Sequence, residues 1–125
     1  MLLEARVVAA LPVSDLAVAK EWYRAKLGLE PVEEFAGGLI YEAGEGSRFS
    51  LFPTGITERG GHTQVAFGVA NVAAEVAALR ERGVVFEEYD QPGLKTEDGI
   101  AVMDGHPGAW FKDCGGNLVG VVQLD

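Results

Sequence analysis

Residues 10–29, ALPVSDLAVAKEWYRAKLGL, and residues 66–85, AFGVANVAAEVAALRERGVV, are two versions of one pattern. Laid over each other, they match Val13 with Val69, Asp15 with Asn71 and Leu16 with Val72. Further along, VEEF (32–35) echoes FEEY (86–89), and FSLF (49–52) resembles VGVV (119–122). A repeat near half the chain length, present twice, predicts a pseudo-symmetric domain, because a solenoid needs three or more repeats to bury its core. The chain of 125 residues therefore reads as one domain with modules at 1–58 and 59–125.

Each module opens with an alternating strand, turns at a capping residue and enters a helix. In the first, Ser14 or Asp15 supplies the cap. Leu16, Ala19, Trp22, Tyr23 and Leu27 then fall on one helical face, and Gly28 is a natural stop. In the second, Asn71 caps, Val72, Val76 and Leu79 form the stripe, and Gly83 stops it. Three short strands follow each helix, expected at 30–35, 38–43 and 47–53, then at 84–90, 107–113 and 117–123. The stretch 90–108 reads as a long irregular loop, the kind that tends to carry function in a compact domain.

Alternate side chains of a strand face opposite ways. Val7, Ala9, Leu11 and Val13 share a face, as do Phe49 and Leu51, Val65, Phe67 and Val69, and Val119 and Val121. These apolar faces should pack on the helices. The opposite faces carry Arg6, Val8, Ala10 and Pro12; Arg48, Ser50 and Phe52; His62, Gln64, Ala66 and Gly68; and Leu118, Gly120 and Val122. Mixed in polarity and rich in small residues, they have the character of a ligand cavity.

Ten basic residues against 19 acidic ones give a net charge of −9, which opposes binding to a phosphate backbone. No run approaches the ~18 apolar residues of a membrane span. Nor does MLLEARVVAALPVSD carry the basic start and uninterrupted apolar core of a signal peptide. With one cysteine, Cys114, nothing calls for an oxidising compartment, and the expected location is cytoplasmic. Cys114 reads as an incidental exposed thiol. AGGLIYEAGEG lacks the spacing of a phosphate-binding loop. Glu33–Glu34 and Glu87–Glu88 are strand neighbours that point oppositely, so neither is a same-face acid–base pair.

The segments ALPVSDLAVAKEWYRAKLGLEPV, QVAFGVANVAAEVAALRERGVVF and AWFKDCGGNLVGVVQ resemble the vicinal oxygen chelate superfamily, which includes glyoxalase I, bleomycin resistance proteins and extradiol dioxygenases. The marks are the VSDL turn into a helix, WYRAKLG, and the DCGGN turn before the last strand. The resemblance implies an α+β fold of two βαβββ modules, whose curved mixed sheets form a cup, often in a homodimer. Metal-dependent members place His, Gln or Glu ligands on the first, fourth, fifth and eighth strands. Here those positions fall on Val8, Ser50, Gln64 and Gly120, of which Val8 and Gly120 cannot coordinate anything.

His62 lies on the face of Gln64, and His106 follows Asp98 and Asp104 in the long loop. Both read as solvated or hydrogen-bonded histidines. Trp110 and Lys112 share a face of the seventh strand; if it is the cup face, Trp110 is a stacking platform for a planar or cationic ligand, and if not, it is core. The expectation is a protein that binds a small organic molecule through Arg48, Ser50, Phe52, His62, Gln64 and Trp110, with no metal and no cofactor. The alternatives are a metal-dependent lyase, isomerase or dioxygenase drawing on His62 and His106, and a structural, dimer-forming domain with a filled cup.

Overall fold

The computed structural model describes residues 1–103 and 105–123; Asp104, a possible partner of His106, lies outside them. Two four-stranded mixed sheets carry the fold. The first has the order β1-β4-β3-β2, with β1 at Ala9–Val13, β2 at Glu33–Phe35, β3 at Gly38–Glu42 and β4 at Arg48–Pro53. The second has the order β5-β10-β9-β8, with β5 at Thr63–Val69, β8 at Ile100–Met103, β9 at His106–Lys112 and β10 at Leu118–Gln123. In each, one edge pair is parallel (β1 with β4, β5 with β10) and the remaining pairs are antiparallel. This is the α+β fold of two repeated modules that the sequence pattern implies.

The helix ends follow the capping chemistry. Asp15 caps α1 (Leu16–Trp22) by accepting from the Val18 N–H at 3.1 Å, and Asn71 caps α2 (Val72–Glu81) by accepting from Ala74 N–H at 3.0 Å. Helix α1 widens into a π-helical turn over Tyr23–Leu27 and ends at Gly28 with φ 70°. One glycine is required by contact: at Gly38 (φ 150°) a Cβ would stand 2.2 Å from the Leu51 carbonyl oxygen.

Leu11, Val13, Tyr23, Tyr41, Phe49 and Leu51 form the core of the first module. Val72, Val76, Phe86, Phe111, Val119 and Val121 form that of the second. Trp22, Leu27, Val65 and Phe67 pack against both cores, joining the modules through apolar contact. Phe49 meets Phe67 edge to face at 5.8 Å across this seam.

Three expectations are corrected. The outer strand of the second sheet is β8, not 84–90: residues 86–89 make only a bridge from Phe86 to Phe111, and the stretch 90–108 holds the hairpin β6 (Asp90–Gln91) and β7 (Leu94–Lys95) followed by β8. Strand β9 explains it, for its seven residues expose an edge long enough for two partners; the Trp110 carbonyl accepts from Glu87 N–H at 2.8 Å while Ala109 pairs with Ile100. Val7 does not join the helix-facing side, because β1 begins at Ala9; pairing further upstream would need Ser47, which belongs to the turn at 43–47, and Val7 is left 93% exposed. Third, His62 precedes β5 and the β5–β10 register slips by one residue at Gln64, so Thr63 pairs with Leu118 while Val65 pairs with Val119. Strict alternation through 62–69 is thereby broken.

Candidate functional site

In β9, Ala109 and Phe111 point into the helix-packed core, as do Val119 and Val121 in β10. Alternation sends Gly108, Trp110, Lys112, Leu118, Gly120 and Val122 to the other face. Trp110 is therefore on the cup side. Gly120 lies opposite it in register, and a Cβ at Gly120 would meet Trp110 Nε1 at 3.4 Å, Thr63 Cγ2 at 3.4 Å and Ala66 Cβ at 3.5 Å. A Cβ at Gly108 would meet Trp110 Cη2 at 3.4 Å. The indole thus lies along the sheet from Gly108 to Gly120, occupying the space that two missing side chains leave.

Tyr89 stands edge-on to the indole, ring centres 5.9 Å apart, and Trp110 is only 8% exposed. Burial, and then the charge of Glu87, raise the Tyr89 hydroxyl above the ordinary tyrosine range. Two hydrogen bonds with Thr96 fix the segment: the Thr96 hydroxyl Oγ1 accepts from Tyr89 N–H at 2.8 Å, and Thr96 N–H donates to the Tyr89 carbonyl at 2.9 Å. Glu88 anchors the same loop, accepting from Thr96 Oγ1 at 2.5 Å and from Gly99 N–H at 3.0 Å, and these bonds lower its carboxyl pKa. Tyr89 and Thr63 were missed in the sequence candidates. The signal for Tyr89 was alternation from the buried Phe86, which puts residue 89 on the face of Trp110.

The other candidates are distributed over the two modules. Ser50 sits between Ala10 and Ile40, and Phe52 is paired with Pro12, both half-buried on the face of β4 opposite Phe49 and Leu51. Arg48 begins that strand, with its guanidinium held by Glu42 at 3.0 Å and Glu33 at 3.3 Å. Its charge is already paired, which weakens it as an anion anchor. Gln64 Oε1 is shielded from solvent and accepts no hydrogen bond among the described residues. His62 is exposed in the turn before β5, and His106 is exposed at the start of β9.

Two clefts open where the sheets meet, and another lies beside them between the N-terminal segment and the turn before β4. One of about 520 Å³ is walled by Ala9 and Phe49 on one side and Val65–Gly68 on the other; it adjoins one of about 320 Å³ around Arg6, Val8 and Arg48. A third, also about 320 Å³, lies on the helix side of β5. Arg48 lines two of the clefts, while Ser50, Phe52, His62, Gln64 and Trp110 are in the walls of none of the three.

The four positions that the resemblance assigns to metal ligands carry few donor atoms in this chain. Val8 precedes β1 and offers no donor, Ser50 and Gln64 offer neutral oxygens, and the place of a side chain at Gly120 is lined by the Trp110 indole. Among the described residues, no group of three or more His, Cys, Asp and Glu could hold a metal ion. No helix among them is long and apolar enough to cross a membrane.

Solved structures with the same fold include the bleomycin resistance determinant encoded on the transposon Tn5, with TM-score 0.74, 17% identity, and coverage of 97% of this chain and 98% of that one. A glyoxalase family protein from Enterococcus faecalis aligns with TM-score 0.73 and 20% identity over 98% and 99% of the two chains. A superfamily member from Sphaerobacter thermophilus gives 0.72 and 19% over 99% and 100%. No curated protein matches the sequence. The family model of the Glyoxalase/Bleomycin resistance protein/Dioxygenase superfamily matches residues 6–121, and the chain belongs to that superfamily.

Cys114, in the turn after β9, is an exposed residue whose thiol is pushed up to about 11, first by burial and then by the charge of Asp113. At neutral pH its thiolate population falls on the order of a hundredfold below that of an ordinary thiol. Iodoacetamide should therefore label Cys114 slowly, as followed by mass spectrometry. Labelling as fast as that of free cysteine would contradict this environment.

Proposed function

We propose that the chain binds a small planar organic molecule, without a metal, against the cup face built around Trp110. The observation that carries this reading is the indole lying across Gly108 and Gly120, where metal-dependent relatives of the fold would present a carboxylate. An aromatic face replaces a ligand atom. Rotation of the Tyr89 ring uncovers the indole, and a planar cation stacks there, favoured by the ring and by the acidic protein around it. Gln64 Oε1, the buried acceptor with no donor, takes an N–H or O–H of the ligand. Ser50 and Phe52 contribute the wall from the first sheet.

The same proposal includes a homodimer. Met1, Leu2, Leu3 and Val7 are each at least 90% exposed, an apolar segment that association would cover. Light scattering should give twice the chain mass.

The test uses Trp22→Phe, which leaves Trp110 as the one indole. Planar aromatic amines, proflavin among them, are titrated by calorimetry, with Trp110 emission as the local signal. Saturable binding that Trp110→Ala removes is expected, and a ligand at 100 times its dissociation constant should add about 2.7 kcal/mol of stability. After dialysis the protein should contain well under one metal ion per chain. Near-stoichiometric metal, or binding indifferent to Trp110→Ala, would overturn the reading.

A further inference from the structure

The helix-side cleft differs from the cup in kind. Its volume of about 320 Å³ is bounded by Leu27 and Leu29 after α1, Leu79 of α2, and Phe67, Phe111 and Val121 of the second sheet. These are residues where the two cores meet, since Leu27 and Phe67 pack against both. The cores do not close completely at their junction, and the remaining space falls in the size range of small-ligand sites. Every side chain in its wall is apolar except one. Glu75, one helical turn before Leu79 and on the same side of α2, is the single ionisable residue there.

The Glu75 carboxylate has no ion-pair or hydrogen-bond partner among the described residues. The cations of the two helices are engaged elsewhere: Lys20 with Glu34, Arg24 with Glu21, Arg80 with Asp98, and Lys26 and Arg82 with the carbonyls of Gly83 and Ala25. Arg82 caps the far end of α2, about two turns from Glu75, and Lys26 reaches that same end from the π-helical turn. A half-open apolar cleft with one exposed, unpaired carboxylate at its rim selects a ligand with an apolar body and one positive end.

We infer that this chamber is a second binding site, separate from the cup, for a small aliphatic ammonium compound: the chain lies among Leu27, Leu79, Phe67 and Phe111, and the ammonium faces Glu75. An alcohol of the same length would keep the apolar contact and lose the charge pairing, and a carboxylate would meet repulsion.

The experiment titrates the full chain by calorimetry with octylamine, hexylamine, octanol and octanoate. Octylammonium should bind about fifteenfold more tightly than hexylammonium, the effect of two methylenes at about 0.8 kcal/mol each. It should also bind more tightly than octanol, and octanoate weakest of the four. Glu75→Gln should bring octylammonium down to the affinity of octanol, a loss of about two- to fivefold for a pair at an exposed carboxylate. Leu79→Trp, which fills the chamber, should abolish the dependence on chain length, with circular dichroism confirming that both variants are folded. Proflavin binding at the cup does not involve Glu75 and should be unchanged in Glu75→Gln, so the two sites fail or succeed separately. Equal affinity for octylammonium and octanoate, or octylammonium binding insensitive to Glu75→Gln, would overturn the inference.

Discussion

Asp113→Ala is expected to destabilise the protein by about 4 kcal/mol, because one carboxylate there satisfies four donors in a water-excluded place. Its Oδ2 accepts from Tyr23 O–H at 2.6 Å and Asn117 Nδ2 at 2.9 Å; its Oδ1 accepts from the N–H groups of Gly115 at 2.8 Å and Asn117 at 2.9 Å. Asp113 is 5% exposed, Tyr23 1% and Asn117 0%. Alanine would strand the Tyr23 hydroxyl and two backbone donors, while Asn117 Nδ2 would keep its bond to the Pro12 carbonyl at 2.8 Å. Tyr23→Phe removes one donor together with its need, and should cost about 1 to 1.5 kcal/mol. The network spans the modules, tying the turn between β9 and β10 to the first helix and to β1, so its loss should also loosen the seam. Urea unfolding decides it: a loss under 1 kcal/mol for Asp113→Ala would mean that water replaces the carboxylate without penalty.

The same network has a defined pH range. Burial, followed by the charge and hydrogen bond of Asp113, raises the Tyr23 phenol above its ordinary value of 10.0. A raised folded value stabilises the protein fully below the unfolded value and loses that contribution as pH rises. The difference between the parent and Tyr23→Phe should therefore be flat from pH 7 to 9 and change only above about 10.

Much of the architecture was legible because it rests on local chemistry. Asp15 and Asn71 announce helices that they do cap, and the alternation in FSLF and LVGVV picks out the residues that enter the cores. The second module's edge was not legible. FEEY copies VEEF in letters, yet only Glu33–Phe35 becomes a strand, because β9 shares its edge between Phe86–Glu87 and β8. Which partner a strand takes depends on its length and on what returns beside it, and neither is written in the competing segment. The slip at Gln64 was equally hidden, for Thr-Gln-Val is acceptable strand sequence with or without an extra residue. At the candidate site, the face of Trp110 was left open by the sequence: alternation put Lys112 with it but did not fix which side of β9 meets the helices. Phe111 in the core settles that orientation.

Gly120 tests the reading of the cup most directly, since a glycine inside a strand weakens it unless something occupies its place. Here the occupant is the Trp110 indole, so the effect of a substitution should grow with the size of the new side chain and depend on Trp110. A single methyl group fits: its contacts at 3.4 to 3.5 Å are ordinary, and Gly120→Ala should lie within about 0.5 kcal/mol of the parent. Gly120→Glu must push the indole off the sheet and bring a carboxylate against Thr63 and Ala66, at a cost of about 3 kcal/mol. Exposed by that displacement, Trp110 should emit to the red in the Trp22→Phe background. In Trp110→Ala the space is already open, so the added cost of Gly120→Glu should fall to about 1 kcal/mol, a coupling of roughly 2 kcal/mol in a double-mutant cycle. Coupling near zero would mean that the indole and the glycine do not share this space, and the aromatic floor proposed for the ligand would go with it.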